Sequence, residues 1–199
     1  GDVMNLQRSE IYGLRQRILK GEDIRDEIKS QLESALADIV QKYTAGGAYP
    51  EEWNLSELYG EIQALYGVAF RIPEEELTSK TPEALFDDIG SEIKLRYEEK
   101  ERRLGAASMR QFERGVFLMV IDNLWKDHLY EMDHLKQGVQ YRAFGQKNPL
   151  YEYQKEALSA FEQLRSAIAR EVTSYVFRLE RVIEQEVRIS KHVATETKR

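Results

Sequence analysis

Proline is scarce in this sequence, and its placement limits the fold more than any other feature. Only four of the 199 residues are Pro, at 50, 73, 82 and 149, where average usage would place about ten. Residues 1–49, 83–148 and 150–199 contain none. Proline removes a backbone N–H and clashes with the preceding helical turn, so these stretches permit long uninterrupted helices. Apolar residues recur in them at spacings of three and four. Ile11, Leu14 and Ile18 mark a helix over 3–20 that Gly21 stops. A second stripe runs Ile24, Ile28, Leu32, Leu36 (or Ala35), Ile39, Val40 and Tyr43, and Gly46-Gly47 ends it.

Two further starts carry capping chemistry. Asn54 followed by Glu57 resembles a capping box ahead of Leu55, Leu58, Ile62 and Leu65. Thr81-Pro82-Glu83 supplies an N-cap, a proline at the first helical position and an early acid, opening a helix that should run to about Leu104. Arg71 to Lys80 reads as a loop around Pro73, and Tyr59, Tyr66 and Phe70 as core of a small subdomain. Beyond these lie two longer stripes. One is Phe112, Val116, Val120, Leu124, Leu129, Met132 and Leu135, widened by Phe117, Ile121 and Trp125. The other is Tyr153, Ala157, Phe161, Leu164, Ile168, Val172, Tyr175, Leu179 and Val182. Each predicts a helix of about 35 residues, roughly 50 Å long. Tyr141 to Asn148 is too short a connection for anything but an antiparallel hairpin, with Asn148-Pro149 capping the second helix. No segment alternates with period two, so the expected fold is all-α.

Charge divides the chain into blocks. Residues 1–21 carry net +2, residues 22–104 carry net −10 with ten basic and twenty acidic groups, and residues 105–199 carry net +2. The acidic block holds three of the four prolines, and reads as a subdomain inserted into something more regular.

Several chemistries are excluded or left weak. There is no Cys, hence no disulfide, thiolate zinc site or cysteine nucleophile. No apolar run approaches the roughly 20 residues of a spanning helix. The polar opening Gly-Asp-Val-Met-Asn is unlike a signal peptide, and the expected compartment is the cytosol. No G-x-x-x-x-G-K-[ST] or G-x-G-x-x-G loop occurs, so nothing here exposes the backbone N–H groups that cradle phosphates. Asp127, His128, Glu131, Asp133 and His134 cluster in sequence. Glu131 and His134 form the Glu-x-x-His pair of helical di-metal sites, but such sites need a second pair, which is missing. A polar helix face beside a buried stripe is the favoured reading.

The turn between the long helices stands out. From His134 to Tyr151 there is no acidic residue, while Lys136, Arg142 and Lys147 are interleaved with Tyr141, Phe144 and Tyr151, and Gly138 and Gly145 flank the tip. Such a tip can stack on bases, grip an extended polypeptide or dock into an anionic mouth. Composition alone favours an ordinary loop with one aromatic folded back as a plug. Nucleic acid is the weakest option, because three dispersed cations are a small footprint in a chain of net charge −6. A free-standing adaptor that binds partner helices through the apolar stripes is a further alternative.

The run Arg114-Gly-Val-Phe-Leu-Met-Val-Ile-Asp-Asn-Leu-Trp-Lys-Asp-His-Leu-Tyr-Glu-Met-Asp-His-Leu-Lys-Gln-Gly-Val139, the turn Arg142-Ala-Phe-Gly-Gln-Lys-Asn-Pro149 and the opening Asp2-Val-Met-Asn-Leu-Gln-Arg8 resemble the SecA family of bacterial preprotein translocase motors. The likeness is dense over 105–165, clear over 1–20 and loose between. It implies a C-terminal fragment: the end of a long scaffold helix over 1–21, a helical wing over 22–104, a two-helix finger over 105–185 and a frayed end over 186–199. It implies that ATP and Mg are held by motor domains earlier in the parent chain, with no cofactor on this fragment. The implied partners are a preprotein, the SecY channel and those nucleotide-binding domains, at the cytoplasmic face of the bacterial inner membrane. The implied polypeptide-contacting fingertip is Tyr141, Arg142, Phe144 and Lys147. The family's tip aromatic is usually Tyr, and Phe144 keeps its apolar contact without the hydroxyl. The family often ends in a cysteine-containing zinc tail, which has no counterpart in this sequence.

Overall fold

The computed structural model describes residues 1–142 and 148–197, with side chains throughout except at 179–187. The described residues are helical, with no strand: α1 (Asp2–Lys20), α2 (Ile24–Thr44), α3 (Leu55–Tyr66), α4 (Pro82–Leu104), α5 (Ala106–Arg142) and α6 (Pro149–Glu196). Short 3-10 turns occupy Pro50–Glu52 and Glu74–Glu76. The local stop and start signals act as their chemistry dictates. Gly21 takes the left-handed conformation after α1, at φ 73°, which costs glycine no Cβ clash. Asn54 Oδ1 accepts the Glu57 N–H at 3.4 Å and Thr81 Oγ1 accepts the Ala84 N–H at 3.1 Å, each satisfying an orphan donor of a first turn. Asn148 Oδ1 accepts from the Leu150 N–H at 3.1 Å at the start of α6. Gly46 is required by close approach: a Cβ there would lie 2.7 Å from the Glu52 backbone carbonyl oxygen.

The chain divides into two compact units: Gly1–Gln31 with Arg110–Val172, and Leu32–Met109 with Thr173–Arg199. In the first, α1, α5 and α6 share a core. Ile11, Ile18, Phe117, Val120, Ile121, Trp125, Phe161 and Ile168 are buried there, and Met132 packs with Ala157 and Ala160 against Val3 and Met4. Contacts between α5 and α6 run in opposite senses, His128 with Phe161 and Arg142 with Glu156, so the two are antiparallel. Ion pairs sit at the margins: Arg15 with Asp122 at 2.8 Å and Arg165 with Glu10. Arg114 donates to the Leu19 carbonyl at 2.6 Å, satisfying an acceptor that the end of α1 leaves without an intrahelical donor.

The second unit gathers the later part of α2 with α3, α4 and the later part of α6. Tyr66 is fully buried; its hydroxyl donates to the Leu32 carbonyl at 2.9 Å and its ring meets Phe177 edge-on. Phe70 is buried too, and Tyr59 takes the Ile72 N–H on its hydroxyl.

Two expectations change. α6 has 48 residues rather than about 35. No Gly or Pro follows Pro149 in the sequence, so no local signal stops the helix where its apolar stripe fades. The buried face of α5 is also centred differently. Phe112, Leu124, Leu129 and Leu135 are only half-buried, while Val116, Val120 and Met132 of the stripe and Phe117, Ile121 and Trp125 beside it are buried as expected, and His128 joins them. A helix packed on two neighbours buries a wider face than a single heptad stripe marks.

Candidate functional site

The last turn of α5 and the first turn of α6 place three large apolar side chains in solvent. Tyr141 is 83% exposed, and Leu150 and Tyr151 are each 60% exposed, while Val139, two residues before Tyr141, is buried. Large apolar side chains exposed at a hairpin end are a candidate contact surface. Tyr141 brings a flat apolar face and a hydroxyl to it.

Arg142 is used differently. Its two terminal nitrogens donate to the two carboxylate oxygens of Glu156 at 2.6 and 2.7 Å. This forked geometry suits guanidinium and carboxylate. The hydrogen bonds from Arg142, more than its charge, hold the Glu156 carboxyl below the usual carboxylate range. An exposed pair of this kind adds little to stability, but it clasps the last turn of α5 to the second turn of α6. Of the four fingertip residues expected from sequence, Tyr141 and Arg142 lie at the same helix end, the first free toward solvent and the second engaged. Phe144 and Lys147 lie outside the described residues. Sequence reasoning overlooked Leu150 and Glu156. The acid-free stretch ends before Glu156, yet an antiparallel hairpin brings α6 residues back alongside Arg142.

The expected polar cluster on α5 does not hold together. Asp127, Glu131, Asp133 and His134 are exposed, but His128 is only 2% exposed. Among the described residues no three His, Asp or Glu side chains gather as metal ligands do. Instead His128 joins a buried polar chain across three helices. The Gln7 amide nitrogen donates to the Ala157 carbonyl at 3.1 Å, which turns its oxygen toward His128 Nε2 at 2.7 Å. Since that oxygen can only accept, Nε2 carries the ring proton. The ring lies between Trp125 and Phe161, and Nδ1 is buried with no hydrogen-bond partner.

Burial drives the His128 pKa below its ordinary 6.5, with Glu131 pulling weakly the other way. The folded protein therefore resists a proton that the unfolded chain accepts. Stability from this site is complete above about pH 6.5 and is lost as pH falls from there toward the folded value, by at most about 1.4 kcal/mol per pH unit. Carboxylates with depressed pKa, Glu99 and Glu156, add their own loss only below about 4.5. Urea midpoints measured from pH 8 to 4.5 should begin to fall below about 6.5, ahead of the carboxylates, and His128→Gln should flatten that segment. A wild-type curve level across it would mean that His128 is not held neutral.

The described residues form helices only, with a long antiparallel hairpin that carries exposed aromatic side chains at its end, the arrangement of a helical scaffold. Residues 1–180 match the family described as SecA Wing and Scaffold domain, and the chain belongs to that family. It is 40% identical over 191 residues to the protein translocase subunit SecA of Streptomyces griseus subsp. griseus, covering 94% of this chain and 20% of that protein. The SecA of Beutenbergia cavernae is 40% identical over 185 residues, covering 90% of this chain and 19% of its own. The chain thus spans about one fifth of the length of the curated relatives it matches. Among the described residues no helix is long and apolar enough to cross a membrane.

Proposed function

We propose that this chain is the scaffold and wing portion of a SecA-type preprotein translocase, and that it transmits force and contacts substrate without hydrolysing nucleotide itself. The family match across residues 1–180 carries the reading. In it, residues 1–21 end the scaffold helix, 22–104 form the wing and 105–185 form the two-helix finger. ATP and Mg are handled by motor domains of the parent protein. The hairpin works at the SecY channel on the cytoplasmic face of the membrane, where Tyr141, Arg142, Phe144 and Lys147 meet the moving polypeptide. The exposure of Tyr141 supports this, because an apolar contact that must form and release against many sequences suits a solvent-facing aromatic better than a buried one. Arg142, forked onto Glu156, sets the direction in which that surface points.

The test is photo-crosslinking from positions 141 and 144 in the full-length parent, with a preprotein stalled in SecY-containing membranes. An ATP-dependent crosslink to preprotein from either position is the expected result. Crosslinks confined to the motor itself would return the tip to an internal plug and leave only the scaffold role.

A further inference from the structure

The contact between Gln7 and His128 joins two helix faces that are otherwise apolar. On α1 the buried positions after Gln7 are Ile11 and Ile18, and Val3 and Met4 pack inward before it. None of these side chains offers an oxygen or nitrogen acceptor. On α5 the buried residues on either side of His128 are Ile121, Trp125, Met132 and Val139. The two helices are antiparallel, since Tyr12 meets Trp125 while the Leu19 carbonyl meets Arg114.

Apolar stripes repeat at every turn and tolerate exchange of one aliphatic side chain for another, so they fix a facing side more firmly than a position along the axis. The ion pairs Arg15–Asp122 and Glu10–Arg165 lie at the solvent-exposed margin, where such pairs hold little energy. The polar pair behaves differently. A slip of one turn carries Gln7 away from the imidazole and brings Val3 and Met4, or Ile11, against it. The His128 Nε2–H and the Gln7 Oε1 are then both buried without a partner, and each such group lowers the population of its state about tenfold or more. Stability alone does not call for the pair, because His128 also buries an Nδ1 that has no partner among the described residues. A buried polar contact of this kind still discriminates between registers, as a single polar residue does in a coiled coil.

We propose that Gln7 and His128 are positioning residues. They fix the register of α5 on α1, and the Gln7 bond to the Ala157 carbonyl ties α6 to the same level. From His128 to Arg142 α5 runs about 21 Å. A one-turn slip would carry the hairpin end, with Tyr141 on it, about 5.4 Å along α1. The register assignment stands without the translocase reading; under that reading, the pair sets how far the tip reaches.

The sequence has no Cys, so nitroxide labels at Gln16→Cys and Lys136→Cys, both exposed positions, report a single distance by pulsed electron resonance. The two sites lie on opposite sides of the polar pair along the helix axes, and a slip is read almost directly as a change in that distance. The otherwise unaltered chain should show one narrow distance. With Gln7→Leu and His128→Leu a second distance should appear, displaced by about 5 Å, its share of molecules raised about a hundredfold. His128→Leu alone should show it too, and serves if the double exchange does not fold. Ile11→Ala removes buried apolar volume one turn away and lowers stability, yet should leave the single distance unchanged, which separates a register device from an ordinary core contact. A folded leucine variant with only the original distance would overturn the proposal, as would a second distance equally present in Ile11→Ala.

Discussion

Trp125→Ala should destabilise the first unit by about 3–5 kcal/mol, the range for truncating a buried aromatic. Trp125 is 8% exposed, meets Tyr12 of α1 edge-on with ring centroids 6.5 Å apart, and lies 5.4 Å from the His128 ring. Removing it therefore opens a space bounded by two helices and by the buried polar chain. The neighbours cannot collapse freely, because His128 is held by Gln7 and Tyr12 by the course of α1. The melting temperature should fall by about 10 °C for a chain of this length. Leu95→Ala, at a position 65% exposed, should leave it nearly unchanged. A loss below about 1 kcal/mol for Trp125→Ala would mean that its ring is not part of the core.

Gln7→Leu should cost about 1–3 kcal/mol although it keeps the size and adds apolar surface. The amide serves two helices at once, accepting from His128 and donating to Ala157. Without it the His128 Nε2–H is buried with nothing to accept it, beside an Nδ1 that already lacks a partner. Replacing both members removes the unpaired donor along with its acceptor. Gln7→Leu with His128→Leu should thus be less damaging than the two single costs combined, with a coupling energy of about 1 kcal/mol or more. Chemical denaturation of the four proteins in that cycle measures it. Strict additivity would show that the two side chains do not stabilise one another.

The Gln7–His128 pair also marks where reading from residues alone stops. Asp127, His128 and Glu131 look alike in sequence, three polar groups on one helix. Only packing separates them, since α1 and α6 cover the His128 side and leave the other two in water. Gln7 carries no sequence signal at all, because a glutamine in a helix is ordinarily a solvated one. The clasp at the hairpin end was half legible. Arg142 stood out as a cation beside aromatics, but its partner Glu156 lies on the other helix and is found only when the hairpin closes. Leu150 was passed over because a single apolar residue after a proline resembles any first turn.

What the sequence determined by itself is the set of helices and, except at the far end of α6, their boundaries. The scarcity of proline, the caps at Asn54, Thr81 and Asn148 and the stops at Gly21 and Gly46-Gly47 are local chemistry, acting within a few residues and independent of the rest of the chain. The hairpin followed for the same reason, from a connection too short to do otherwise. What only the tertiary structure decided is which side of each helix is inside. That depends on how many neighbours a helix acquires, and α5, covered by both α1 and α6, buries His128, which its sequence places on a polar face, and leaves Phe112, Leu124 and Leu129 of its apolar stripe only half-buried. Periodicity is a property of one helix, whereas burial belongs to the set of helices packed around it.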